Sequence, residues 1–269
     1  MDTQQDADRR PGREAPTTPV ENSTIRTQLA HRTIRAFTGE PVDEEVMTSL
    51  LDVARHSPTS SFYQQTTILW VKDPGLRHEV HLSSGQPYVG GTRGELLVFV
   101  VDLHRNACIR EEAGEDLEPL GRTTLFLEGV EDTVIAAQNT VVAAESLGLG
   151  TVYLGSIGGD PQRVIRALRL PRHTFPLLGM LVGHPDQDPQ FKPRLPAHLT
   201  TAVDVYPQVE DWGTALADYD ATVQDYYDLR DANRRVDSFT HQICTKPGTG
   251  RAEQAPVLDV LHEQGLALG

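Results

Sequence analysis

Residues 132–155 read DTVIAAQNTVVAAESLGLGTVYLG, and this stretch limits the fold more tightly than any other. From 133 to 147 it is apolar almost all round, broken mainly by Gln138, Asn139 and Glu145. A helix of that composition has no solvent face and belongs inside a domain. Gly148 and Gly150 stop it, as glycine does at helix C-termini. Thr151, Val152, Tyr153 and Leu154 have the β-branched and aromatic composition of a buried strand. Gly155 and Ser156 end that strand, and Asp160-Pro161 opens another helix with an N-cap acid and proline at the first helical position.

The rest of the chain supplies the partners such a core needs. Further strands are expected at 67–71, 96–101 and 176–182, with 96–101 (LLVFVV) buried on both faces. Helices are expected at 25–30, after Asp43 as far as Pro58, at 74–82, 161–168, 211–229 and 255–264. Residues 83–88 read as a polar loop, and 111–118, with five acids, as a mobile surface segment. Residues 1–24 hold almost nothing to bury and read as a disordered leader. Interspersed helices and strands leave the class open between α/β and α+β.

Bulk charge narrows the function. A formal net charge of −14 over 269 residues argues against nucleic acid or an anionic membrane as partner. No segment reaches the roughly 20 apolar residues of a membrane span, and no apolar signal core is present, so a cytoplasmic protein is expected. Cys108 and Cys244 form no metal or redox spacing, and the ten histidines show no HExxH, so no metal is expected. Gly148-Leu149-Gly150 fails as a dinucleotide fingerprint: Tyr153 stands where the third glycine belongs, and the order is helix then strand. There is no Walker loop. The turn at Ser156 lacks the preceding glycine of a nucleophile elbow, since Leu154 is there.

What remains suits an anionic organic cofactor. His31, Arg32, Arg35, Lys192 and Arg194 are cations in separate loops of an acidic chain, of the kind that binds phosphate. Thr33, Ser60, Ser61 and Gln86 suit polyol hydroxyls and a heteroaromatic edge. Gly155 lets backbone N–H approach a flat ring. Each piece alone also reads as a solvated face or an ordinary loop.

Together the stretches HRTIRAFTGEPV (31–42), ARHSPTSSFYQ (54–64), SSGQPYV (83–89), 132–157, LGMLVGHPDQDPQFKPRLP (178–196) and YDATVQDYYDLRDANRR (219–235) resemble the nitroreductase superfamily, in the branch of oxygen-insensitive NADPH nitroreductases and FMN-dependent flavin reductases. The resemblance implies an α+β fold, a mainly antiparallel central sheet flanked by helices, in a domain-interlocked homodimer. It implies an FMN-binding core at 25–205 and a C-terminal helical extension at 206–269 wrapping the core and the partner subunit. It assigns FMN binding to His31, Arg32, Thr33 and Arg35, to Lys192 and Arg194 at the phosphate, and to Gln86 at the pyrimidine edge. Tyr153, Leu154, Gly155, Ser156 and Ile157 lie along the flavin ring in the same reading. Thr59, Ser60, Ser61 and Tyr63 come from the opposite subunit. Phe62, Arg230 and Arg234 meet substrate or NADPH. Pro58 departs from the usual serine-rich run, and Ser156 replaces a common glycine.

The implied activity is two-electron, ping-pong transfer from NAD(P)H through FMN to nitroaromatics, quinones or flavins. No side chain acts as catalyst. The alternatives are a flavin reductase feeding a monooxygenase, an FMN-dependent biosynthetic oxidase and a flavin-binding protein without turnover.

Overall fold

A computed structural model describes residues 16–230, 237–247 and 255–269, with the side chains of 227–230 excluded. In chain order the helices and strands are α1 Ser23–Leu29, α2 Glu44–Arg55, β1 Thr66–Val71, α3 Pro74–Ser84, β2 Glu95–Asp102, α4 His104–Glu112, α5 Thr123–Ser146, β3 Gly150–Leu154, α6 Pro161–Leu168, β4 Thr174–Gly183, α7 Ala197–Thr200, α8 Trp212–Arg230, α9 Phe239–Thr245 and α10 Val257–Glu263. The four strands form one sheet in the order β1-β2-β4-β3, antiparallel throughout. The class is therefore α+β.

β2 is the centre of the core. Leu96, Val98 and Val100 point to one face and pack with Ile34, Phe37, Val80, Val164 and Leu181. Leu97 and Phe99 point to the other, against Met47, Leu50, Ala137, Val141 and Ala144. This period-two split is what a strand covered on both faces requires. A bulge between Phe99 and Val100 shifts its register with β4. A third cluster joins Val101, Leu103, Phe126 and Phe175 to Val260, Leu261 and Leu266 near α10.

The chain forms two compact units, one of residues 33–188 with 255–269 and the other of 16–32 with 189–247. The sheet lies in the first. In the second, Tyr219 and Phe239 meet edge to face at 5.4 Å, Thr240 is bonded to Asp220, and the Tyr219 hydroxyl donates to Pro193 O at 3.2 Å.

Several expectations need correction. Helix α5 begins at Thr123, ten residues before the apolar run, because Glu128, Glu131 and Asp132 hide its first turns in the sequence. It also has an open face in the single chain: Leu127, Val134 and Ile135 are exposed, with Leu147 just past its end. Residues 111–118 are not one mobile segment: Glu111 and Glu112 finish α4, and Arg110 donates to Asp116 O at 2.7 Å to tie down the turn. Ser83 and Ser84 are the last turn of α3 rather than loop; Gly85 caps it at φ 65°, its N–H on His81 O. The leader ends before Ser23, since the Asn22 side chain caps α1 there; residues 1–15 lie outside the described residues. Asp160 caps α6 as expected, accepting from Arg163 N. Among the described residues no helix is long and apolar enough to cross a membrane.

Candidate functional site

The turn after β3 is the best-defined part of the site. Leu154 is buried at the strand end, and 155–159 form a 3-10 turn. Two consecutive serines at the end of α3 hold it. Ser83, 0% exposed, donates from Oγ toward Ile157 O at 2.7 Å and Asp160 O at 2.8 Å. Ser84, 6% exposed, shares a 2.7 Å hydroxyl–hydroxyl bond with Ser156. Arg163 adds an outer brace, donating to Glu79 at 2.7 Å and to Asp160 at 3.2 Å.

Gly155 stands out on this turn. Neither it nor Gly158 has a left-handed φ, and a Cβ built on either meets nothing within 4 Å, but of the two only Gly155 is exposed. Neither backbone strain nor packing requires glycine there. At Gly150, by contrast, a Cβ would sit 2.6 Å from Ile34 Cγ1. A bare, unstrained Cα on an open, rigid turn is suited to close approach by a ligand.

Other predicted residues gather around this turn. Gln86 lies two residues past Ser84, and its carbonyl is bonded to His81 Nδ1 at 3.0 Å. Its loop is fixed by Arg77, a residue the sequence did not single out. The Arg77 guanidinium is buried and donates to Val89 O, Gly94 O and Arg93 O at 2.9, 2.6 and 2.8 Å. Burial holds its pKa below the usual arginine value, with Glu95 opposing. Tyr153 is 38% exposed, and its hydroxyl donates to Gln138 at 3.1 Å; partial burial, with Glu145 nearby, pushes the phenol up. Thr33 forms a parallel bridge with Thr151, and Ile34 N donates to Thr151 O at 2.8 Å, which fixes these two residues against β3. Arg35 is exposed.

The loop of Thr59, Ser60, Ser61, Phe62 and Tyr63 is built differently. Ser61, Phe62 and Gln64 have φ of 51°, 58° and 52°. Left-handed backbone costs a non-glycine residue roughly 1–2 kcal/mol, so the loop carries strain that its surroundings must hold. Arg105 donates to Gln64 O at 2.9 Å, Asn106 to Tyr63 O at 3.4 Å, and Asp132 Oδ1 accepts from Ser60 N at 2.8 Å. Phe62 projects outward, 81% exposed. Phe62, Tyr63, Arg105 and Asn106 line one groove of about 800 Å3.

His31, Arg32, Lys192 and Arg194 all belong to the other compact unit. Arg32 donates to Pro189 O at 3.4 Å and lies over the Phe191 ring, 5.0 Å from its centroid. Arg194 donates to Lys192 O at 3.0 Å. Lys192 and Arg194 are exposed, and neither pairs with a carboxylate among the described residues. Free cations in a chain of charge −14 are suited to an anionic ligand. Arg230 is the last residue of α8; its side chain, and Arg234 altogether, lie outside the described residues.

The residues that sequence reasoning missed are Arg77, Asp132, Arg105 and the bonding role of Ser83 and Ser84. Asp132 had one available signal: it falls on the same helical stripe as Gly129, Thr133 and Ala136, all buried.

Comparison with known proteins gives a single family. The model of the nitroreductase family matches residues 29–184, and that of the nitroreductase family C-terminal domain matches 192–269. The NADPH-flavin oxidoreductase of Vibrio harveyi is 36% identical over 249 residues, which cover 91% of this chain and 99% of the relative. The FMN reductase (NADPH) of Bacillus subtilis (strain 168) is 38% identical over 225 residues, 82% of this chain and 90% of the relative. The solved structure of the NfrA1 nitroreductase from B. subtilis superposes with a TM-score of 0.85 at 34% identity, covering 91% of this chain and all of that one.

Proposed function

The chain belongs to the nitroreductase family, and on that premise we propose that it is an FMN-dependent NADPH oxidoreductase that reduces nitroaromatics, quinones or flavins by two-electron transfer. The observation that carries this reading is Gly155: a glycine that the protein's own packing and backbone do not need, on a turn held from behind by Ser83 and Ser84. Bound FMN supplies the two-electron relay between donor and acceptor. The protein supplies position. Gly155 would offer its N–H and open Cα to the ring, and Gln86, on the loop locked by Arg77, would meet its pyrimidine edge. Thr33 offers a hydroxyl where β3 begins. His31, Arg32, Lys192 and Arg194, with Arg35 as a further candidate, would serve the phosphate. Tyr153 holds Gln138.

The working unit in this reading is a homodimer. Val134 and Ile135 on α5, with Leu127 and Leu147, leave an apolar face that one chain cannot cover, and a second copy would bury it. The exposed loop of Thr59, Ser60, Ser61 and Tyr63 would then serve the partner's flavin. A fully active enzyme that sediments as a monomer at micromolar concentration would exclude this assembly.

The decisive experiment is to purify the protein, record its visible spectrum and add NADPH without oxygen. A yellow protein that bleaches supports the reading, and a colourless one that takes up no FMN overturns it. The names of the relatives favour a second reading, a flavin reductase that releases reduced FMN as product. FMN that stays with the protein through gel filtration supports a held cofactor; FMN that elutes separately supports the reductase.

A further inference from the structure

Asp132 is an acid where a helix core would favour alanine. It lies in the third turn of α5 on the buried stripe and is 1% exposed. Aspartate competes with the helix backbone for hydrogen bonds, and a desolvated carboxyl is costly. Its single hydrogen bond among the described residues is the one from Ser60 N, while Oδ2 is buried with no protein partner. That contact fixes the residue from which the chain turns left-handed at Ser61, Phe62 and Gln64. Arg105 and Asn106 on α4 hold the far side. Phe62, at the summit, is 81% exposed, so its height and direction come from these clamps and not from packing of its own ring.

We propose that Asp132 is a positioning residue for the electron acceptor: through Ser60 it holds the loop so that Phe62 presents its ring to an aromatic acceptor, offset-stacked or edge to face. The inference rests on the functional reading above, in which this loop borders a flavin site. It deepens that reading by naming a group outside the flavin's contacts that sets acceptor affinity.

The test uses the holoenzyme at fixed NADPH with 4-nitrobenzoate and with 1,4-benzoquinone as acceptors. Asp132→Ala is expected to raise the KM for each about ten-fold, with kcat and FMN content changed less than about two-fold, the pattern of lost uniform binding. Asp132→Asn keeps an oxygen for Ser60 N and is expected to retain KM within about two-fold. Phe62→Ala raises KM as Asp132→Ala does, and the double variant goes no further than the larger single, because both act through one ring. A wild-type KM in a folded, FMN-loaded Asp132→Ala enzyme overturns the proposal, and so does a double variant whose effect is the product of the singles. If Asp132→Ala does not fold, Ser60→Pro removes the same bond from the donor side. Thr59, at φ −134° and ψ 147°, already has the conformation that precedes proline. The same rise in KM supports the role, and an unchanged KM overturns it. Failure of the wild-type enzyme to bleach with NADPH sinks the functional reading itself; bleaching with unmoved KM values sinks only the role of Asp132.

Discussion

The turn at Gly155–Gly159 and the loop at 60–64 are two ways of presenting backbone to a ligand. The turn is bonded from behind by Ser83 and Ser84, which are almost wholly buried, and its exposed surface is bare. The loop is strained at three residues, clamped at its ends by Asp132, Arg105 and Asn106, and carries a large exposed ring. A turn that offers N–H to a flat ring has to be rigid and empty, since a misplaced side chain would block approach. A loop that offers a side chain needs its summit clear of the surface, and left-handed backbone between anchors provides that. Strain held by surrounding contacts is typical of functional segments.

The sharpest test of this contrast is Gly155→Ala. Its Cβ meets nothing in the protein, so the melting temperature without FMN should stay within the small range of surface substitutions. FMN binding should weaken by about 1–3 kcal/mol, the usual cost of inserting a methyl into a filled space. Titration with FMN checks this, and unchanged affinity would show that the glycine does not serve the flavin.

Ser83→Ala comes next. It removes the hydroxyl from one buried and one half-buried carbonyl and should lower unfolding free energy by about 1–3 kcal/mol, measured by urea denaturation, with FMN lost in parallel. Stability lost without any change in FMN affinity would mean that the brace and the ligand face are independent.

Ser84→Ala and Ser156→Ala each delete the same neutral hydrogen bond, so each should cost about 1 kcal/mol and the pair no more than one alone. Additive losses would show that the two hydroxyls have separate partners.

The smallest effect has the opposite sign. Gln64→Gly relieves left-handed strain, partly offset by the entropy of glycine, and should stabilise by a few tenths to about 1 kcal/mol. A destabilised Gln64→Gly protein would mean that the loop is not strained, and the comparison would lose one side.

The strands could be read because their residues leave little choice. LLVFVV can only be a strand covered on both faces, and the alternating contacts of Leu96 to Val100 agree. The proposed site takes its surface members, Gly155, Lys192 and Arg194, from oddities visible in the sequence, and all three are exposed. It was not legible where polar groups work from inside. Ser83 and Ser84 look like loop because serine is usually solvated, yet their hydroxyls are spent on carbonyl and hydroxyl oxygens more than 70 residues away. Asp132 looks like part of an acidic helix face, and only the partner Ser60, far off in sequence, explains its burial. Such long-range pairing has no local pattern to read.

The bridge between Thr33 and Thr151 also fixes an order of events during synthesis. The HRTIR segment leaves the ribosome early, but its strand partner and the Gly150 surface that receives Ile34 are made much later. Until β3 emerges and pairs with β4, Thr33 and Ile34 lack their backbone partner. A stretch made well before its partner is thus fixed late, as contacts of long sequence separation generally are. A chain stalled before β3 would hold a sheet of β1 and β2 alone and no receiving edge for the motif. The proposed binding turn is therefore complete only once β3 and β4 have both been made.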